Sequence, residues 1–330
     1  MWAPWALPVL RGIGEMTSPA GRERCFRLVA LGDSITVGVG DTVGPDATHG
    51  PGWAAHLAAV LGLEAFTNLA TNGACSRDVA ATQLDTALAL RPRFATVLVG
   101  GNDVLRSDFD ARSTLADLHR CVHALRSAGT DVVLIRLPVI GLFELGPRIV
   151  RRVMRRRVAA VNAAVDAVSA ALAPGGPDSP EPAGGDRSGS AYGRVVVVDA
   201  ALAIAPAGAK AWHIDRVHPS PAGHRRLALG VATALGDMDP EYRTAHALDG
   251  PDALTARLPE APEPPSASQR LVWLVKAGLP WCVRRGRDFL PGLLRAVVHD
   301  LLAERTFKPG GMVTSVADSG LGPRHRIGRG

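Results

Sequence analysis

Cysteine, aromatic residues and lysine are all scarce in this chain. Its 330 residues include four cysteines, 5% aromatics, and only three lysines among 37 basic residues. Cys25, Cys75, Cys121 and Cys282 show no C-x-x-C spacing, which excludes a zinc knuckle or a thioredoxin-like motif. They read as reduced thiols of a cytoplasmic protein. Few aromatics interleave with the basic residues, so a nucleic-acid partner is not expected. No apolar run approaches the roughly 20 residues that span a bilayer. The opening "MWAPWALPVL" holds two prolines and lacks a basic n-region, so no signal peptide is expected, and Met1 and Met16 both stand as starts. No G-x-S-x-G occurs, which argues against an α/β-hydrolase nucleophile elbow. His119 and His123 are four apart without the glutamate of H-E-x-x-H, and read as a polar helix stripe.

What is present is enough for a large core, since 47% of the residues are hydrophobic. Five Val/Leu/Ala-rich segments read as strands buried on both faces: 26–31, 65–70, 95–100, 131–137 and 194–199. Helical patterns follow each of them, at 52–61, 78–90 (with Ser76 as N-cap), 115–128, 148–172 and 221–235. Alternation of this kind predicts a three-layer α/β sandwich on a parallel sheet. The expected organisation is an extension over 1–25, poorly ordered, then a catalytic domain over 26–236. A linker-like segment follows over 237–266, then an amphipathic helical appendage over 267–306 and a disordered tail over 307–330.

Ligands gather at the C-terminal edge of a parallel sheet. The first strand delivers Asp33 and Ser34 there, the second Asn72 and Gly73, and the third the run Gly100-Gly101-Asn102-Asp103. After the fifth strand comes "WHIDRVHPSPAGHRRLA", with Asp215 and His218. These are the parts of acyl transfer. A serine needs a base to take its proton, and histidine is the usual base near neutral pH. The histidine needs a carboxylate to fix its tautomer, and Asp215 sits three residues before His218. An oxyanion needs donors, available from the N–H groups of Ser34 and Gly73 and the amide of Asn102. Asp33 and Asp103 read as local backbone partners. The loop 38–44 borders the site, which places Asp41 and Thr42 at the substrate.

With these blocks in order, residues 27–235 resemble the SGNH/GDSL hydrolase family: "GDS" with Ser34, the glycine block with Gly73, "GGND" with Asn102, and "DRVHP" with Asp215 and His218. Ile35 stands where the family's motif has leucine. The resemblance implies a flavodoxin-like frame and a serine esterase or lipase. Ser34 would be the nucleophile, His218 the base, Asp215 its support, and Ser34, Gly73 and Asn102 the oxyanion hole. No cofactor and no metal are implied. The substrate expected is a small-molecule or lipid ester, with O-acetyl esters included.

Other readings stay open at this stage. An acyltransferase would use the same acyl-enzyme, and a non-catalytic carbohydrate- or lipid-binding module would leave the serine idle. His213, Asp215, His218 and His224 have the residue types of a zinc site. Arg151, Arg152, Arg155, Arg156 and Arg157 read as a solvated helix face. Residues 267–330 hold eleven Lys/Arg against four Asp/Glu. Their apolar helical spacing fits either a helical pair folded onto the domain or a peripheral membrane contact through 267–306.

Overall fold

The computed structural model describes residues 27–42, 49–63, 65–179, 192–239, 250–258 and 266–273, with isolated positions at 243 and between 275 and 302. The expected extension over 1–25, most of the linker and the tail after 307 lie outside the described residues. So do Cys25 and Cys282.

Five apolar segments form one all-parallel sheet: β1 (Arg27–Gly32), β2 (Ala65–Asn68), β3 (Phe94–Leu98), β4 (Asp131–Arg136) and β5 (Val195–Asp199). Their order, β2-β1-β3-β4-β5, is the flavodoxin-like order. The chain reverses winding direction between β1 and β3, where such sheets open a crevice.

Alternate residues of the central strands feed two separate cores. Leu28, Ala30, Phe94, Leu98, Val133 and Ile135 face one cluster. Val29, Leu31, Ala95, Val97, Val132 and Leu134 face the other. Both faces are therefore covered, which is why the strands read as unbroken apolar runs. On the first face lie α2 (Gly52–Leu61), α8 (Ala200–Ile204) and α9 (Pro221–Met238), with fully buried Trp53, Leu57, Val231 and Leu235. On the second lie α4 (Leu84–Ala89), α5 (Ala111–Ser127) and the C-terminal half of α7 (Arg148–Ala171). Short helices occupy the sheet's upper edge: α1 (Ser34–Val37), α3 (Ser76–Asp78) and α6 (Gly141–Glu144).

The helix expected over 78–90 differs in detail. It starts at α3, passes through a π-helical turn (Val79–Gln83), and resumes as α4. The N-cap is Cys75 rather than Ser76. Ser76 lies one residue inside, where its N–H and hydroxyl both donate to the buried Asp103 carboxylate. Asp103 is thus a long-range tie between two loops, not the local backbone partner its sequence neighbourhood indicated. Cys75 and Cys121 are buried free thiols, and burial pushes the Cys121 thiol up to about 12. Two further helices, Pro251–Ala256 and Ala267–Trp273, follow α9. Among the described residues no helix is long and apolar enough to cross a membrane.

Candidate active site

β1 ends at Gly32, and the chain turns at once into α1. Asp33 has extended backbone and caps that helix, its Oδ1 accepting the Ile35 N–H at 3.0 Å. Ser34 is therefore the first helical residue. Its own N–H is one of the amides that a helix start leaves without an internal partner. Neither the Ser34 N–H nor the Gly73 N–H has an acceptor among the described residues. Gly73 has φ of 81°, a left-handed conformation that favours glycine.

The loop between a 3₁₀-helical stretch after α8 (Ala205–Ala211) and the start of α9 brings the base. Asp215 organises it: its Oδ1 accepts the N–H of Val217 at 2.8 Å and of His218 at 3.0 Å. Its Oδ2 lies 2.8 Å from His218 Nδ1. The D-x-x-H spacing thus serves twice, folding the turn and orienting the ring. Arg216, between them, has φ of 53°. The loop is closed by a Trp212–Pro219 bridge and by the His213 N–H donating to His218 O at 3.0 Å. Its outer side is tied to α6, where the Leu142 N–H donates to Arg216 O. The result places His218 Nε2 2.8 Å from Ser34 Oγ.

These residues meet at a cavity of about 460 Å³. Asp33, Ser34, Asn72, Gly73, Gly101, Asn102 and His218 form its polar floor. Ile35, Val39, Leu105, Leu137, Ile140 and Val217 supply apolar walls. Asn102 is buried, and its Nδ2 donates to Ala74 O at 3.1 Å and lies 3.5 Å from Asp33 Oδ2.

The charges differ between the two carboxylates. Burial pushes the Asp33 carboxyl up to about 6, against the Ile35 N–H and the nearby His218 ring, with Asp103 adding to the rise. Burial works the same way on Asp215, but hydrogen bonds from His213 and His218 and their charges outweigh it. Its carboxyl is held well below the usual range. His213 Nδ1 lies 3.2 Å from the same Oδ2 that His218 uses. Sequence reasoning gave His213 only to a metal cluster. Its position two residues before Asp215 was the available signal.

Asp41 lies elsewhere than the sequence placed it. Its carboxylate is turned inward, 2.7 Å from His56 Nε2, accepting the Gly52 N–H at 2.9 Å and Arg225 Nη1 at 3.2 Å. Neither Asp41 nor Thr42 is among the residues lining the cavity. The physical reason is that a carboxylate beside a histidine and an arginine is stable inside, so the loop's acid binds the protein itself. His224 is also separate. Its Nδ1 accepts the Trp53 N–H at 3.1 Å and its Nε2 lies 3.0 Å from Val39 O. Burial lowers its pKa to about 4, so the ring is neutral and both nitrogens are occupied. Among the described residues no three His, Cys, Asp or Glu side chains converge as metal ligands.

Gly40, the residue before Asp41, lies directly against the base loop. At φ of 93°, a Cβ on Gly40 would fall 2.2 Å from Pro219 O and 3.1 Å from His218 Cβ. Gly40→Ala is therefore expected to push His218 away from Ser34 and lower kcat by about 10²-fold, the scale of a 1 Å misplacement. Wild-type kcat in that variant would show that the contact does not set the ring's position.

Residues 30–180 match the GDSL-like lipase/acylhydrolase family. Those residues belong to that family. The protein is accordingly an ester-hydrolysing enzyme, and the family match ends before the loop that carries Asp215 and His218. Solved structures similar to it include an acetylxylan esterase from Geobacillus stearothermophilus, at 23% identity, covering 64% of this chain and 95% of that one, with a TM-score of 0.45. A lipase from a goat rumen metagenome matches at 19% identity, covering 63% of this chain and 97% of that one, with a TM-score of 0.46. No curated protein sequence matches the chain.

Proposed function

We propose that this GDSL-family enzyme is a serine esterase working through an acyl-enzyme on Ser34. The observation that carries the reading is the continuous relay of 2.8 Å contacts from Ser34 Oγ through His218 to Asp215, set at the floor of a cavity. Ser34 Oγ attacks the ester carbonyl while His218 Nε2 takes its proton. Asp215 keeps the other ring proton on Nδ1 and stabilises the imidazolium. The oxyanion forms beside the N–H groups of Ser34 and Gly73 and the Asn102 amide. The C–O bond to the alcohol breaks, and His218 returns the proton to the departing oxygen. Water then attacks the acyl carbon and loses a proton to His218, which passes it to Ser34 Oγ as the acyl C–O bond breaks, releasing the carboxylic acid and free Ser34.

The apolar walls favour an aliphatic acyl chain over acetyl. Burying a methylene contributes about 0.8 kcal/mol, or about fourfold. Across p-nitrophenyl esters from acetyl to dodecanoyl, kcat/KM is expected to climb by about that factor per carbon until the cavity is full. A maximum at acetyl would contradict this choice of substrate.

A membrane contact is the second reading, and one observation favours it. Leu294, Val298 and Leu302 recur at helical spacing and are exposed, as are Leu271, Val272 and Val275. They lie in the segment with eleven basic and four acidic residues, a combination suited to anionic lipid. Full-length protein is expected to sediment with phosphatidylglycerol vesicles at low salt. Absence of binding there would remove this reading.

A further inference from the structure

We infer that Asp33 is a positioning residue for Asn102, holding the amide aimed at the oxyanion through its Oδ2 while its Oδ1 caps α1. The inference rests on reading Asn102 as an oxyanion donor. A helix cap requires only one acceptor oxygen, and the Asp33 Oδ1–Ile35 N–H bond supplies it. The second oxygen lies on the cavity side, 3.5 Å from Asn102 Nδ2 and against Gly101, where a Cβ would stand 3.5 Å away.

The Asn102 amide has two protons. Ala74 O holds one at 3.1 Å, which fixes the plane of the group. Asp33 Oδ2 lies 3.5 Å from the same nitrogen, at the long limit of a hydrogen bond, so the second proton is shared between that oxygen and the cavity. That distance suits a group which must be released. A contact of 3.5 Å is too weak to compete with an oxyanion approaching to the usual 2.7–3.1 Å range of about 3 Å. It is strong enough, inside a buried site, to keep the amide from rotating.

The choice of aspartate carries a cost. The groups that act on its charge are the Ile35 N–H, His218 and Asp103, and with burial they leave the carboxyl titrating near 6 rather than 3.8. A carboxylate whose folded pKa is raised loses stability as pH climbs through that window, because the unfolded chain ionises first. Above pH 6 the fold therefore holds an ion it would be more stable without. A cap alone needs no such ion, since Ser and Asn cap equally well.

The test is a double-mutant cycle on kcat with a soluble ester at pH 8. Asn102→Ala is expected to lower kcat by about 10²–10³-fold. Asp33→Asn and Asp33→Ser, which both keep a capping oxygen, are expected to lower it by about tenfold with KM within about twofold. In the Asn102→Ala background the Asp33 substitutions should cost less than about twofold, because the group they position is gone. Melting at pH 8 shows whether the fold survives, and Asp33→Asn should melt no lower than wild type. Full activity in Asp33→Ser, or an equal loss in both backgrounds, would overturn the inference while leaving the Asn102 reading intact. An unchanged kcat in Asn102→Ala would overturn both.

Discussion

Ser34→Ala protein is expected to lose about 10⁴–10⁶-fold in kcat and to keep its fold. The change deletes one oxygen, whose hydrogen-bond partner is His218 Nε2. Ser34 is only partly buried, so no core cavity opens. Its backbone N–H and the Asp33 cap are untouched, and α1 should start where it does now. What disappears is the atom that forms the acyl bond. A fluorophosphonate probe gives a second readout, since it labels an activated serine and should label wild type and not the variant. Turnover near wild type after this substitution would sink the acyl-enzyme mechanism outright.

Asp215→Asn should have the next largest effect, about 10⁴-fold in kcat, for a reason of proton placement. An asparagine oxygen can still accept the N–H groups of Val217 and His218, so the turn survives. Its Nδ2, however, is a donor facing His218 Nδ1. The imidazole must then carry its proton on Nε2, where it can no longer accept one from Ser34. A stability change accompanies this. Asp215 titrates below the ordinary aspartate value, so its ionised form adds stability that is complete above about pH 4 and is lost as pH falls through its folded pKa. The variant should therefore melt below wild type at pH 7, and the gap should close in strong acid. A variant with normal kcat would mean that His218 does not rely on this carboxylate.

The sheet was readable because its central strands are buried on both faces, and buried parallel strands appear as short apolar runs between helical patterns. Helix 52–61 was placed to the residue, since Pro51 and Gly62 punctuate it. The meeting of Ser34, His218 and Asp215 followed from where strands end. The cavity walls were less accessible. Ile35, Leu105, Ile140 and Val217 come from four loops, and nothing local marks a loop aliphatic as facing a ligand. Asp41 misled for a related reason: its buried partners, His56 and Arg225, are 15 and 184 residues away. Ser76 misled because its hydroxyl donates to the Asp103 carboxylate instead of accepting an N–H at the helix start.

The π-helical turn bears on how firmly the site is anchored to the sheet. Gln83 leaves it to reach Gly32, its Oε1 accepting the Gly32 N–H and its Nε2 donating to the Gly32 carbonyl, both at 2.9 Å. A glutamine side chain ends in the same amide as a peptide unit. Here it stands in for a neighbouring strand beyond the last β1–β2 register pair, Ala30 with Asn68. The backbone after β2 stays tied to the end of β1 as well, the Leu69 N–H donating to Ala30 O at 2.9 Å and the Thr71 N–H to Gly32 O at 3.2 Å. Asn72 and Gly73 therefore follow directly from a residue pinned to Gly32. One borrowed amide thus helps clamp the Gly32 peptide, so the serine and the glycine of the site hang from a single fixed point.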